Sequence, residues 1–257
     1  MPPARPAAEG VVPTEAAALA RHAEALFAAE RAAEDELFAL RSLDNGSLRI
    51  GASTTIATYM IPRYLGAFHR VHPGIDLYLT SANTRDIAAL MLAQDIDIGL
   101  VEGPVEERGL VAEPWRTDIM RLIVAADHPF SEAPDAIDPK GIESETLIVR
   151  EPGSGTREVV ARALAAHGIE PGRTLEVGST AAIKQSVVAG LGISIVSAAA
   201  ITDQLQLGQL KTVPIRKMTI ERTLWQLKLP GRIAAPAAVA FEKMLHDRGI
   251  IPEAGAA

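Results

Sequence analysis

The sequence predicts an α/β fold, with two successive strand-and-helix units of mostly parallel sheet preceded by one long helix. Three observations carry that expectation. From residue 47 onward, short apolar runs alternate with helix-length amphipathic stretches, which is the pattern of sheets covered on both faces. Residues 15–43 contain no Gly or Pro and are rich in Ala, Glu and Arg. Over 257 residues the chain is 48% hydrophobic and 22% charged but only 4% aromatic, so it can bury a core and must build it from aliphatic side chains.

After a loose Pro/Ala-rich start (1–13), Thr14 opens the long helix, which spans about 45 Å for roughly thirty residues. Leu19, Leu26, Ala33 and Leu40 recur every seven positions, flanked by Ala23, Leu37, Phe27 and Phe38. The rod cannot bury that seam alone. It either packs on its own domain or dimerises, and its length favours dimerisation. Asp44-Asn45-Gly46-Ser47 stops it. Residues 47–52 then read as a strand, 54–71 as helix with Pro62 starting or kinking its main part, 75–81 as a strand, 84–93 as helix and 96–101 as a buried strand. Residues 120–125 read as a strand, 133–139 as an irregular link and 147–150 as a strand. Helix 156–167, strand 174–177, helix 181–189 and strand 193–196 follow, then a short helix from Ala198 and strand 210–215. Strand 223–229, an amphipathic helix over 236–248 and a loose tail (249–257) complete the chain.

Composition excludes several functions. Lys and Arg number 25 against 32 Asp and Glu, a net charge of −7, which argues against a dominant nucleic-acid-binding surface. With no cysteine there is no disulfide, thiolate nucleophile, Cys-ligated zinc or iron–sulfur cluster, and a reducing compartment is expected. Residues 1–10 lack the basic start and apolar run of a signal peptide, and no later stretch has the length of a membrane span, so a cytoplasmic chain is expected with no membrane partner. No phosphate-cradling P-loop, Gly-x-Ser-x-Gly elbow or Gly-x-Gly-x-x-Gly after a strand is present, so neither an enzyme nor a cofactor is expected. His69 and His72 stand three apart at a helix end, without a third ligand nearby in sequence, and read as solvated rather than metal-binding. Asp95 and Asp97 lie at a strand start and read as turn and solvent contacts.

The helix starts are the informative places. Ser53-Thr54-Thr55, Asn83-Thr84, Gly153-Ser154-Gly155-Thr156 and Gly178-Ser179-Thr180 each put hydroxyl or amide side chains, free N–H groups and a positive dipole end just past a strand's carboxyl end. Any one of these is adequately explained as a helix cap. Four of them, from two α/β units, point to one cleft, where ligands of open α/β sheets bind. Glu102, at the end of strand 96–101, is placed to face it. Hydroxyls without a neighbouring Lys/Arg cluster favour a compact oxyanion held by neutral donors over a polyphosphate.

The run from Gly46 to Ser53, Ile61-Pro62-Arg63-Tyr64-Leu65 with Phe68 and His72-Pro73, Asp97-Ile98-Gly99-Leu100-Val101, Asp127-His128-Pro129 and Gly190-Leu191-Gly192-Ile193, in this order, resembles the effector-binding domain of LysR-type transcriptional regulators. The resemblance spans about residues 10–249. It implies two Rossmann-like subdomains of periplasmic-binding-protein type, 47–120 plus 223–248 and 121–222, joined by crossover strands and preceded by a linker helix (14–45). It also implies a small effector held in the cleft by Ser53, Thr54, Thr55, Asn83, Thr84, Ser154, Thr156, Ser179 and Thr180, of which Ser53 and Thr54 match the family best. Glu151-Pro152-Gly153-Ser154-Gly155-Thr156-Arg157 and Gly178-Ser179-Thr180-Ala181 resemble the branch regulating sulfur assimilation and carbon fixation. A sulfite- or sulfate-type effector is expected, with a phosphorylated metabolite as competitor. Residues 11–16 resemble only the end of the family's winged helix-turn-helix. The chain as given is therefore expected to bind its effector and form a homodimer, with tetramers open, while DNA and RNA polymerase are reached only through a full-length form. The alternative is a solute-binding protein of an anion transporter, which shares the two-lobed fold.

Overall fold

The structure is a computed structural model that describes residues 45–247 apart from 104, 106, 133 and 134, together with residues 19, 22, 23, 26–31 and 33. The expected loose start (1–13), the tail (249–257) and much of the 14–45 helix lie outside the described residues. Those described between 19 and 33 are helical; Ala28 is buried, whereas Leu19, Leu26 and Phe27 are exposed.

Strand β1 (Gly46–Ser53) runs directly into helix α1 (Thr54–Tyr59), and α2 (Ile61–Val71) follows a break at Met60, with Pro62 in its first turn where a missing N–H costs nothing. Strand β2 (Ile75–Ala82), helix α3 (Thr84–Leu92) and strand β3 (Ile98–Glu102) complete the first unit. A long strand β4 (Val111–Ala125) leads to the second: β5 (Thr146–Val149), α4 (Gly155–Ala166), β6 (Arg173–Glu176), α5 (Thr180–Val188), β7 (Ser194–Ser197), α6 (Thr202–Gln206) and β8 (Leu210–Val213). Strand β9 (Ile220–Lys228) and helix α7 (Pro236–His246) return to the first unit.

The expectation of mostly parallel sheets holds inside each unit and fails between them. β1 pairs in parallel with β2 and β3, and β5 with β6 and with the residue before β7. β9, however, runs antiparallel to β3 and β4, and β7 and β8 run antiparallel to β4. The sheet order is β2-β1-β3-β9-β4-β7, with β8 continuing the β9 edge of β4. Because β4 runs in the sense of β1 to β3 and opposite to β5 to β7, the carboxyl ends of both parallel sets point toward each other. That reversal is what creates a shared cleft. Strand β4 is also longer than the expected 120–125, since its first half carries Pro114 and four polar residues. The register shifts between Pro114 and Arg116, and an irregularity of this kind is where a sheet tolerates proline.

Alternation along the strands separates the cores. Leu48, Ile50, Ala52, Ile98 and Leu100 face α1, α2 and α7, where Phe68 meets Phe241 edge-on at 5.3 Å. Val101 and Leu227 face the other way, toward Ile87 and Met91 of α3. Gly51 is on that second face because a Cβ there would stand 2.5 Å from Ile96 Cδ1. In the second unit Met120, Leu122 and Val124 pack with Val160 and Leu164 of α4, while Ile123 packs with Ile183 and Val187 of α5. Asp97 is not the solvent contact that was expected. Its Oδ2 accepts from the Arg49 backbone N–H at 2.8 Å and its Oδ1 from Arg232 at 2.7 Å, tying β1 to the segment before α7.

Candidate effector cleft

The helix starts converge. Ser53 caps α1 in an extended conformation and Thr180 opens α5 from the opposite unit, and Thr55 Oγ1 lies 3.2 Å from Thr180 Oγ1. One turn further along both helices, buried Lys184 stacks its Nζ 4.6 Å from the Tyr59 ring centroid and donates to the Ala200 carbonyl and to Gln204 Oε1. Burial, the larger influence, lowers the Lys184 pKa, while nearby Asp203 acts in the other direction. On the far side of the cleft Thr84 Oγ1 donates to the Glu102 carbonyl at 3.1 Å and accepts from the Gly155 N–H at 3.3 Å, while the Arg85 N–H reaches the Gly153 carbonyl at 3.3 Å. Both units therefore touch through their helix N-termini, and the cleft is closed.

Between these contacts lies a buried ionic cluster. Arg222, on β9, donates through Nη1 to Glu102 Oε2 at 2.9 Å and to Thr156 Oγ1 at 2.8 Å, and through Nε to Asp118 Oδ2 at 2.8 Å. Thr156 also donates to Glu102 Oε2, and Ser197 donates to Asp118 Oδ1 at 2.8 Å. Burial pushes the Glu102 carboxyl up. The Arg222 guanidinium and the hydroxyls of Thr156, Thr55 and Ser53 together outweigh it, so Glu102 titrates below its ordinary value. A second buried guanidinium, Arg150, clasps both Glu151 carboxylate oxygens at 2.7 Å and turns Nη1 toward Thr180 Oγ1 at 3.4 Å.

The cluster corrects the expectation of a cleft lined by neutral donors alone. Arg150 and Arg222 stand in it, each already facing a carboxylate. Both reach a helix start in space, at Thr180 and Thr156, although neither stands beside one in the sequence. The available signal was a charged residue in step with alternate apolar ones: Asp118 with Met120 and Leu122, and Arg222 with Ile220 and Leu224, all inward-facing.

The expected site residues separate into four sets. Asn83 and Ser179 cap α3 and α5, accepting from the Asp86 and Ala182 N–H groups. Thr84, Thr156, Thr55 and Thr180 are bonded to one another's elements across the closed cleft. Ser154 is buried at the α4 cap and makes no side-chain cap bond. Ser53 Oγ, Thr54 Oγ1 and Glu102 Oε1 are buried and have no hydrogen-bond partner. Buried polar atoms are rarely left so.

Comparison with known proteins places the chain in a family and agrees with its fold. Residues 41–249 match the family described as LysR substrate binding domain. The uncharacterized HTH-type transcriptional regulator YeiE of Escherichia coli is 35% identical over 184 residues, covering 72% of this chain, and the aligned part of this chain spans 62% of that relative's length. The CbbR regulator of Rhodospirillum rubrum is 33% identical over 87% of this chain and 74% of its own. The regulatory domain of Synechocystis CcmR, solved in complex with 2-PG, is 32% identical with a TM-score of 0.73, over 79% of this chain and 96% of that one. These relatives are named as regulators, and none of the names is that of an enzyme. With the match over residues 41–249 and two inward-facing parallel units, the chain belongs to the LysR family and carries its substrate-binding domain.

Proposed function

We propose that the chain is the effector-sensing part of a LysR-type transcriptional regulator and that its cleft takes a compact anion, sulfur- or phosphorus-centred. Residues 47–120 with 223–248 form one subdomain, 121–222 the other, and 14–45 a linker helix whose exposed Leu19, Leu26 and Phe27 meet a second copy. DNA and RNA polymerase are reached only through a full-length form that carries a helix-turn-helix of the kind the relatives are named for, in the cytoplasm. Among the described residues no helix is long and apolar enough to cross a membrane. Effector binding stabilises the closed cleft and so biases the geometry of the dimer.

The observation that carries this reading is the pair of buried, unpartnered hydroxyls on Ser53 and Thr54, next to the Thr55–Thr180 contact and the Arg150 guanidinium. The CcmR domain, solved in complex with 2-PG, supports a small-molecule ligand for this fold. Thermal melting in sulfite, sulfate, thiosulfate, phosphate and 2-PG is expected to show a concentration-dependent rise with at least one of them. The Ser53→Ala, Thr54→Ala double variant should still fold without ligand, because Thr54→Ala removes an unpaired buried hydroxyl costing about 1–3 kcal/mol, which offsets the loss of the Ser53 hydroxyl beside Glu102. The same variant should lose the ligand-dependent rise. A full rise in the double variant would take both residues out of the site.

A further inference from the structure

We propose, building on the anion-binding reading above, that Glu102 makes the cleft select an effector that brings its own hydrogen-bond donor, an oxyanion retaining a proton or a hydroxy acid, and reject sulfate. Glu102 is 1% exposed, and its two oxygens are used differently. Oε2 accepts from Arg222 and Thr156. Oε1 has no partner, although Ser53 and Thr55, which stand at the start of α1, are near enough to stabilise its charge. The groups around the carboxylate are thus Arg222 and Thr156 on one oxygen, the two hydroxyls by the other, and Asp118 beyond the guanidinium. An ionised carboxylate can only accept. A ligand group that reaches Oε1 must therefore donate to it, or it sets an acceptor against a buried carboxylate oxygen.

Charge balance points the same way. Glu102 and Asp118 share the single Arg222 guanidinium, and Arg150 is engaged by Glu151 through two bonds, so neither guanidinium is left over to meet Oε1. Sulfate, fully ionised near neutral pH, has four acceptor oxygens and nothing to give. Placed here, it would meet the Glu102 carboxylate oxygen to oxygen. Hydrogen phosphate, bisulfite or a hydroxy acid has the same anionic face for Ser53 and Thr54, and an O–H for Oε1. The specificity arises from a mismatch built against the wrong ligand as much as from bonds to the right one.

The test is calorimetric binding to the whole chain at one neutral pH and matched ionic strength, with two pairs of probes: inorganic phosphate against sulfate, and glycolate against acetate. The donor-bearing member of at least one pair should bind roughly tenfold to a hundredfold more tightly than its partner. The pair that discriminates separates a protonated oxyanion from a hydroxy acid. Glu102→Gln, which keeps an oxygen for Arg222 and presents an N–H to the cleft, should reduce that ratio to near one or reverse it. Equal binding within both pairs by the wild-type chain would overturn this selectivity while leaving the anion-binding reading standing, and it does so whether or not the variant folds. A ratio unchanged in folded Glu102→Gln would overturn the role of Glu102. No binding of these four probes, nor of sulfite, thiosulfate or 2-PG, would overturn the anion reading and the selectivity with it.

Discussion

Replacing Arg222 by Leu is expected to lower the unfolding free energy at neutral pH by roughly 3–5 kcal/mol, the cost of leaving a buried charge uncompensated. That is a large part of the roughly 5–15 kcal/mol that holds an average domain together. The size follows from what the guanidinium satisfies: it serves Glu102, Asp118 and Thr156 at once, and both carboxylates are nearly inaccessible to water. The pH dependence distinguishes this cause from a simple packing defect. In the wild-type chain the Glu102 carboxyl titrates below its unfolded value, so it contributes stability above the unfolded value and loses it as pH falls through the folded one. Without Arg222, burial becomes the ruling influence, and the folded carboxyl rises above its unfolded value. The variant should then gain relative to the parent as the medium becomes mildly acidic, and urea-unfolding curves of the two should approach each other there. Curves that stay parallel across this range would mean that the loss is one of packing. Arg222→Lys keeps the charge but not the fork that reaches three partners, and it should fall between the two. It also provides a folded comparison if the leucine variant proves too unstable to measure.

How far this cluster could be read from the chain depends on the distance over which the relevant pattern extends. Strand and helix order was legible because it is local: apolar alternation at residues 47–52 and 96–101, and the punctuation at Pro62 and Pro236, each act within a few residues. The convergence of Ser53, Thr84, Thr156 and Thr180 was legible too, since hydroxyls just past strand ends share a location in any doubly wound arrangement. What was missed is non-local. The sense in which β9 meets β4 depends on pairing residues about a hundred positions apart, such as Asp118 with Arg222. The first half of β4 was hidden because Pro114, Glu113, Arg116 and Asp118 interrupt the apolar pattern. Two of the four are there for a reason that the strand alone does not reveal. Pro114 sits at the register shift, and Asp118 faces inward to bond Arg222 and Ser197. Arg150 was read merely as a strand end, because nothing local says that its guanidinium turns toward Thr180.

Gly155→Ala is expected to prevent the cleft from closing while leaving each unit folded. A Cβ at this position would lie 1.5 Å from the Glu102 carbonyl oxygen, 2.5 Å from its carbon and 2.9 Å from Thr84 Oγ1. Carbon and oxygen approach no closer than about 3.3 Å even in favourable contacts, so the first turn of α4 must retreat from β3 by close to 2 Å. The nearest atoms, the Glu102 carbonyl carbon and oxygen, are backbone and cannot swing away. The retreat breaks the Gly155 N–H bond to Thr84, draws Gly153 from Arg85 and pulls Thr156 from Glu102 and Arg222, bonds that hold this side of the cleft shut. It does not reach the apolar clusters, which lie within each unit around Phe68 with Phe241 and around Val160 with Leu164. The expected result is a loss of about 1–3 kcal/mol, as for other overpacked positions. It should be accompanied by a larger radius of gyration in small-angle scattering and by loss of the anion-dependent rise in melting temperature. Gly66→Ala is the matched control: it lies within α2, where an added Cβ meets nothing closer than Arg70 Nη1 at 3.7 Å, and it should be neutral or slightly stabilising with the anion response intact. If Gly155→Ala kept both the compact scattering profile and the anion response, contact between the α4 N-terminus and β3 would not be part of effector capture. The ligand would then have to be held from the α1 and α5 side alone.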